Sequence, residues 1–345
     1  MFVTPLIERS RIKMALIIFI IPLLFIYCDS SPQKYIDIDG KILLLEDLDG
    51  KEGSTDGNFC DIVAYDIYSG ERSIVTDDDY YDDHPSYSKA LNCIFFESKR
   101  IGAHSLTGLT SASNIFALNL ELNFIEQVDN KPLRNRFPIL LNDVNYFPLA
   151  NHSGSEIIFQ NGSDAGIFYD RLIIYEINQD SLYLLKDSLI LVTDYIWSFK
   201  DDNVIYTAKH KYTFKDNRNF VATVNLSSKE RQIILDLNNS RKYLGDCLGN
   251  QLIYISETIP DGEYSLMIMD LLTAENQEVT KLNRFGFDEI TEPVFYDEAN
   301  IFLICSNRIS SNRADEDVYM LDLNTLNLKQ ITFTHNIKEE LTYIR

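Results

Sequence analysis

The 345-residue sequence is poor in the short motifs that mark common enzyme classes. It has no GxSxG elbow to expose a nucleophilic serine, no glycine-rich phosphate loop and no dinucleotide fingerprint. Cysteine is scarce, at Cys28, Cys60, Cys93, Cys247 and Cys305, and no two form a CxxC pair. The irregular spacing of the last four, with Cys93 and Cys305 inside apolar strands, reads as free thiols used as small hydrophobes. The five histidines, His84, His104, His152, His210 and His335, are scattered without metal-ligand spacing, so neither a metal nor a cofactor is expected. Positive charge is also short: 31 Lys and Arg stand against 52 Asp and Glu, for a net of -21. A chain so acidic is repelled by a phosphate backbone, which excludes nucleic acid as the expected partner.

Long apolar runs are nearly absent as well, and the one present lies at the start. Arg9, Arg11 and Lys13 precede an unbroken run from Met14 to Tyr27, short for a membrane-spanning helix and of the length of a signal-peptide core. Cys28 follows directly, then the polar stretch Asp29-Ser30-Ser31-Pro32-Gln33. These residues resemble a bacterial lipoprotein signal, in which the cysteine is lipidated and becomes the first residue of the mature protein. Tyr27 stands where that family has a small residue. The expected division is a signal peptide over 1–27, a tether over 28–34 and an exported, membrane-anchored domain over 35–345, facing the periplasm or the cell exterior.

Helical periodicity is missing from that domain, while Tyr and Phe, 20 of each, favour sheets. Apolar runs of about five residues alternate with turn signals, and they recur. In the last unit an apolar strand Ile301–Cys305 follows the turn Asp297-Glu298-Ala299-Asn300, a polar loop is expected over 309–316, and strands over 317–323 and 328–332 complete the set. Equivalent turns start at Asp39, Lys89, Ser153, Asp201, Leu248 and Asp297, spaced 50, 64, 48, 47 and 49 residues apart. Each unit's third strand ends in an acid or amide followed by a branched aliphatic: Asp66-Ile67, Asn119-Leu120, Glu176-Ile177, Asn225-Leu226, Asp270-Leu271 and Asp322-Leu323.

One four-stranded sheet cannot bury both its faces, so such units must stack on one another. The pattern predicts an all-β fold, a six-bladed β-propeller of four-stranded antiparallel blades, with blades at about 35–76, 83–129, 146–187, 191–236, 241–283 and 288–334. Residues 340–345, Glu-Leu-Thr-Tyr-Ile-Arg, are left over and are expected to close the ring beside the first blade.

The units resemble the repeats of the TolB-type six-bladed propellers. The second unit carries the likeness through His84-Pro85-Ser86-Tyr87-Ser88 and Ser98-Lys99-Arg100. The sixth carries it through Glu292-Pro293-Val294-Phe295, Ser306-Asn307-Arg308 and Val318-Tyr319-Met320-Leu321-Asp322. The resemblance implies the propeller fold over residues 35–345. Function does not follow from fold alone.

In such a blade the linker from the preceding blade and the loop between strands two and three emerge on one face. That gathers the acidic linker residues Asp79, Tyr80, Tyr81, Asp82 and His84 with Lys99, Arg100 and His104. Lys209, His210, Lys211, Arg308 and Arg313 join them on the same rim. Mixed charge interleaved with aromatics suits a protein-binding surface. The expected function is that of a non-catalytic envelope protein, a propeller scaffold binding a protein or ligand on this loop face. The alternative is a propeller-fold lyase or hydrolase acting on a carbohydrate in the central channel, which would place His, Arg and carboxylate side chains together inside the channel mouth.

Overall fold

Branched and aromatic residues set between turn formers pair into six sheets of four antiparallel strands in a computed structural model. The structure describes residues 39–46, 61–77, 80–98, 114–128, 143–163, 169–179, 181–185, 190–210, 219–237, 240–258, 262–310, 313–333 and 338–344. The chain divides into two units, Met1–Tyr35 and Ile36–Arg345, and all described residues belong to the second. The segments expected as signal peptide and tether, with Cys28, lie outside the described residues.

Blade one contains β1 (Lys41–Glu46), β2 (Asp61–Asp66) and β3 (Arg72–Ile74). Blade two runs through β4 (Asp82–Ser88), β5 (Cys93–Ser98), β6 (Asn114–Asn119) and β7 (Phe124–Gln127). Blade three is β8 (Asp143–Ala150) to β11 (Ser181–Leu185), and blade four is β12 (Ile190–Trp197) to β15 (Arg231–Leu237). Blades five and six are β16 (Ser240–Leu248) to β19 (Asn276–Lys281) and β20 (Glu289–Phe295) to β23 (Leu328–Gln330). The last strand, β24 (Lys338–Tyr343), pairs antiparallel with β1 and supplies the innermost strand of blade one. The first and last parts of the domain therefore share a sheet, and β1 is paired on both sides like the second strand of every other blade.

The second strand of each blade is apolar on both faces because both faces are covered. Phe95 and Phe96 point opposite ways from β5, one into the gap with blade three and the other into the gap with blade one. Six clusters of buried side chains fill the six gaps in turn. Ile158 meets Trp197 between blades three and four, Ile205 meets Tyr254 between four and five, and Ile255 meets Phe295 between five and six. Phe302 and Leu341 share the cluster that closes blade six on blade one.

The recurring acid or amide has a local cause. The side-chain oxygens of Asp66, Asn119, Asn225, Asp270 and Asp322 each accept the backbone N–H groups two and three residues on, for example Leu272 and Thr273 on Asp270 at 2.8 and 2.9 Å. This ties the turn between strands three and four. Those donors hold the Asp66, Asp270 and Asp322 carboxyls below the usual range. Glu176, one methylene longer, instead accepts the Ser181 hydroxyl at 2.8 Å.

The expected polar loop over 309–316 is corrected: β21 (Asn300–Ser310) and β22 (Arg313–Asp322) run on as a long paired ribbon. The backbone ladder needs no apolar side chains, so polarity marked the strand ends too early.

Leu341 and Ile344 are buried in the closing segment. Replacing Leu341 by Ala is expected to cost about 2–5 kcal/mol, and deletion of residues 338–345 to abolish cooperative melting followed by circular dichroism. An unchanged melting temperature after the deletion contradicts closure through β24. Gly245, on the innermost strand of blade five, faces the Pro293 carbonyl so closely that a Cβ would collide with it. Gly245→Ala is therefore expected to lower stability by about 1–3 kcal/mol in denaturant titration.

Candidate functional site

All six innermost strands are irregular at the same level. Register shifts fall between Asp83 and Ser86, Tyr146 and Leu149, Val192 and Asp194, Leu244 and Asp246, and Thr291 and Val294. The sixth lies where β24 crosses Leu43 to Leu45 of β1. A bulge bends its strand and re-aims the side chains around it. In blades two, three and six the bulged residue precedes a proline, and His84, Phe147 and Glu292 adopt φ of 50°, 55° and 50°. This left-handed backbone is uncommon for residues of that size.

The bulges are tied from blade to blade. Ser86 Oγ accepts the Ala150 N–H at 2.9 Å, Asp194 the Leu244 N–H at 2.7 Å, and Asp246 the Phe295 N–H at 3.0 Å. Trp197 Nε1 donates to the Leu149 carbonyl at 2.8 Å, and the Tyr195 hydroxyl to the Phe147 carbonyl. Thr342 Oγ1 donates to the Pro85 carbonyl at 2.8 Å, joining the closing strand to blade two.

Around this ring of bulges lies a cavity of about 580 Å³. Its walls include Arg241, Tyr243, Tyr264 and Glu289, all at the end of the blades where the innermost strands begin. That is the end at which the linkers and the loops between strands two and three emerge. Arg241 stands 3.7 Å from Glu257, whose carboxylate also accepts the Tyr243 hydroxyl at 3.0 Å. The Tyr243 contact, and after it the Glu257 charge, raise the Arg241 guanidinium above its ordinary value.

Lys242 differs. Its Nζ donates to Ser256 Oγ and lies 5.5 Å from the Tyr254 ring centre. Burial alone pulls its ammonium down to about 8, and among the described residues no carboxylate pairs with it. A lysine desolvated at the wall of a cavity is poised to receive an anionic group from a ligand.

The residues expected on the rim are distributed unevenly. Tyr80 is exposed, while Tyr81 is half-buried and donates to Asp83 Oδ2 at 2.9 Å. Asp82 is fully buried, away from any rim. His84 lines the cavity. Lys209 and His210 end β13 (Asn203–His210), and Arg308 and Arg313 lie in β21 and β22 near their connection, all at the same end of the blades as the cavity. Asp79, Lys99, Arg100, His104 and Lys211 lie outside the described residues.

Sequence reasoning did not find Arg241, Lys242, Tyr243, Tyr264 or Glu289. A usable signal existed in the X-Pro pairs His84-Pro85, Phe147-Pro148 and Glu292-Pro293, which recur at one position of the unit and mark the bulges.

Comparison with solved structures places this architecture. TolB from Acinetobacter baumannii is 11% identical with a TM-score of 0.60, and the match covers 90% of this chain and 67% of that one. The chain has the TolB-type propeller fold. A propeller in the Nidogen/Laminin complex is 10% identical, TM-score 0.58, over 89% of this chain and 99% of its own. Oligogalacturonate lyase from Vibrio parahaemolyticus is 13% identical, TM-score 0.54, over 86% and 77%. No sequence family matches the chain, and no curated protein is similar to it in sequence. At these identities the likeness concerns the fold.

Because the Lys242 value falls from 10.5 to about 8, the folded chain binds fewer protons than the unfolded one between those limits. Stability therefore rises with pH through that window, and the cost of burying the charge is fully present below it. Lys242→Met is expected to stabilise the protein at pH 7 by on the order of 1–2 kcal/mol, the ammonium keeping partial solvent access. The gain should fade towards pH 10.5 in thermal melts taken across the range.

Proposed function

We propose that this is an exported, lipid-anchored envelope propeller that binds a protein partner on the face where its innermost strands begin, taking an acidic group of that partner into the cavity. The observation that carries this reading is Lys242, a desolvated cation at the cavity wall with no described carboxylate beside it. Tyr243 and Arg241 are exposed around it, and Tyr264 is half-buried nearby. Tyrosine and arginine are the residues on which protein interfaces most often depend. The remainder of the chain is strongly acidic, so a negatively charged group is attracted at a local basic spot such as this one, which favours orientation over general adhesion. One propeller of similar fold stands in a protein complex, that of Nidogen with Laminin. The basic run before the apolar segment, with Cys28 directly after it, supports export and anchoring.

A second reading is supported by a specific observation. His84, Arg241, Lys242 and the carboxylates Glu289 and Glu292 line one cavity, as expected of a lyase or hydrolase of acidic carbohydrate, and one neighbour in fold is an oligogalacturonate lyase.

The two readings separate in one experiment. Tagged full-length protein is recovered from cross-linked envelopes of its own cells, beside the variants Lys242→Met and Tyr243→Ala. A partner recovered in stoichiometric amount and lost from both variants is the expected result. A partner retained equally by the variants overturns the cavity as its site. Cleavage of uronic-acid oligosaccharides by the purified protein would replace the binding role with the catalytic one.

A further inference from the structure

Blade two departs from the other five at the point where its bulge begins. The last pair before the bulge is Tyr146 opposite Gln160 in blade three, Val192 opposite Ala208 in blade four and Leu244 opposite Tyr254 in blade five. Blade six has Thr291 opposite Ile304, and blade one has Glu339 opposite Leu45. In blade two the pair is Asp83 opposite Glu97. Both carboxylates are buried, at 8% and 4% exposure. Like charges directly across a strand pair destabilise a sheet, and buried charges require pairing or a bound ion. The fold itself does not demand them, since five blades do without.

The bulge then turns the next residue, His84, back onto this pair. Its Nδ1 lies 3.2 Å from Asp83 Oδ1 and 3.5 Å from Glu97 Oε2, and the three donor atoms all fall within 4.8 Å of one another. A divalent first-row ion bound at about 2.0–2.2 Å holds neighbouring ligand atoms about 3.0–3.5 Å apart. The outer contacts also orient the carboxylates: the Tyr81 hydroxyl donates to Asp83 Oδ2 at 2.9 Å, the His84 N–H to Asp83 Oδ1 at 2.9 Å, and the Phe147 N–H to Glu97 Oε2 at 3.4 Å. The Phe147 ring stands edge-on to the imidazole at 4.0 Å between centres and covers one side. The other side is reached from the cavity, which His84 lines. Among the described residues no lysine or arginine pairs with either carboxylate.

The geometry points to a divalent transition-metal site formed by Asp83, His84 and Glu97 at the wall of the central cavity, with the remaining coordination positions open to the cavity. One imidazole and two carboxylates suit Zn²⁺ or Mn²⁺ better than Ca²⁺, which prefers six to eight oxygen ligands. The ion cancels the buried like charge that the sheet pairing creates. The site does not depend on the partner-binding reading, because it concerns blade two and needs no bound ligand.

The test uses full-length, tag-free protein in detergent, stripped with chelator and titrated calorimetrically with Zn²⁺, Mn²⁺ and Ca²⁺. The expected result is one equivalent of Zn²⁺, bound more tightly than Mn²⁺, with a higher melting temperature that chelator reverses. Glu97→Gln and Asp83→Asn keep the side-chain volume, and His84→Asn tolerates the left-handed backbone. Each variant is expected to weaken binding by about 100-fold or more while melting cooperatively without metal. No binding by the parent chain, equal binding by folded variants, or preference for Ca²⁺ would each overturn the assignment. Failure here leaves partner capture intact, and loss of partner capture leaves metal binding intact.

Discussion

The structure depends on how a ring of strands satisfies backbone groups at its own centre. A bulge takes N–H and C=O groups out of a ladder, and here six bulges lie side by side around the axis. Side chains of one blade capture backbone groups of the next: Ser86, Asp194 and Asp246 accept N–H groups, while Trp197, Tyr195 and Thr342 donate to carbonyls. The irregularity that opens the cavity is thus also what binds each blade to its neighbour. Gly245 shows how tight the arrangement is, since the Pro293 carbonyl occupies the space that a side chain would need.

Outside the axis the forces are ordinary ones. Apolar side chains from both faces of each second strand fill the gaps between blades, so no sheet is stable without its neighbours. The pairing of β24 with β1 makes the chain of gaps a closed circle. Where the turn after the innermost strand of blade four meets its counterpart in blade three, Asp201 accepts the His152 and Ser153 N–H groups at 2.9 and 2.7 Å and pairs with His152 Nδ1 at 2.9 Å. Burial opposes ionisation of Asp201, and these contacts outweigh it, leaving its carboxyl below the usual range. Repetition of one unit then leaves individual positions free to diverge. His84, Phe147 and Glu292 occupy one structural position in three blades and carry three different chemistries.

Much of the fold was legible because its signals are local. Five of the six marks from Asp66-Ile67 to Asp322-Leu323 reflect carboxylates and amides closing the adjoining turns within three residues of chain, and Glu176 reaches five residues on to Ser181. The turn spacing reflects the length of a four-stranded unit. Strand ends were less legible: residues 313–316 pair through their backbone with residues 306–310 although the stretch is largely polar. The site was barely legible. Lys242 and Tyr243 sit in an ordinary polar stretch, Ser-Arg-Lys-Tyr-Leu-Gly, and Glu97 comes after an apolar run as a strand-ending acid does in many proteins.

By itself the sequence determined the class of fold, the number of units and the order in which they stack, since each rests on interactions between residues close along the chain. It also determined the acidic balance that disfavours nucleic acid. Only the tertiary structure decided which side chains face the axis, because each bulge adds one residue and so reverses the facing of the side chains beyond it, and its position depends on the neighbouring blade. It likewise decided that Asp83 meets Glu97 beneath His84 and that Lys242 lies in a cavity wall, since those meetings are made by strand register and by packing between blades.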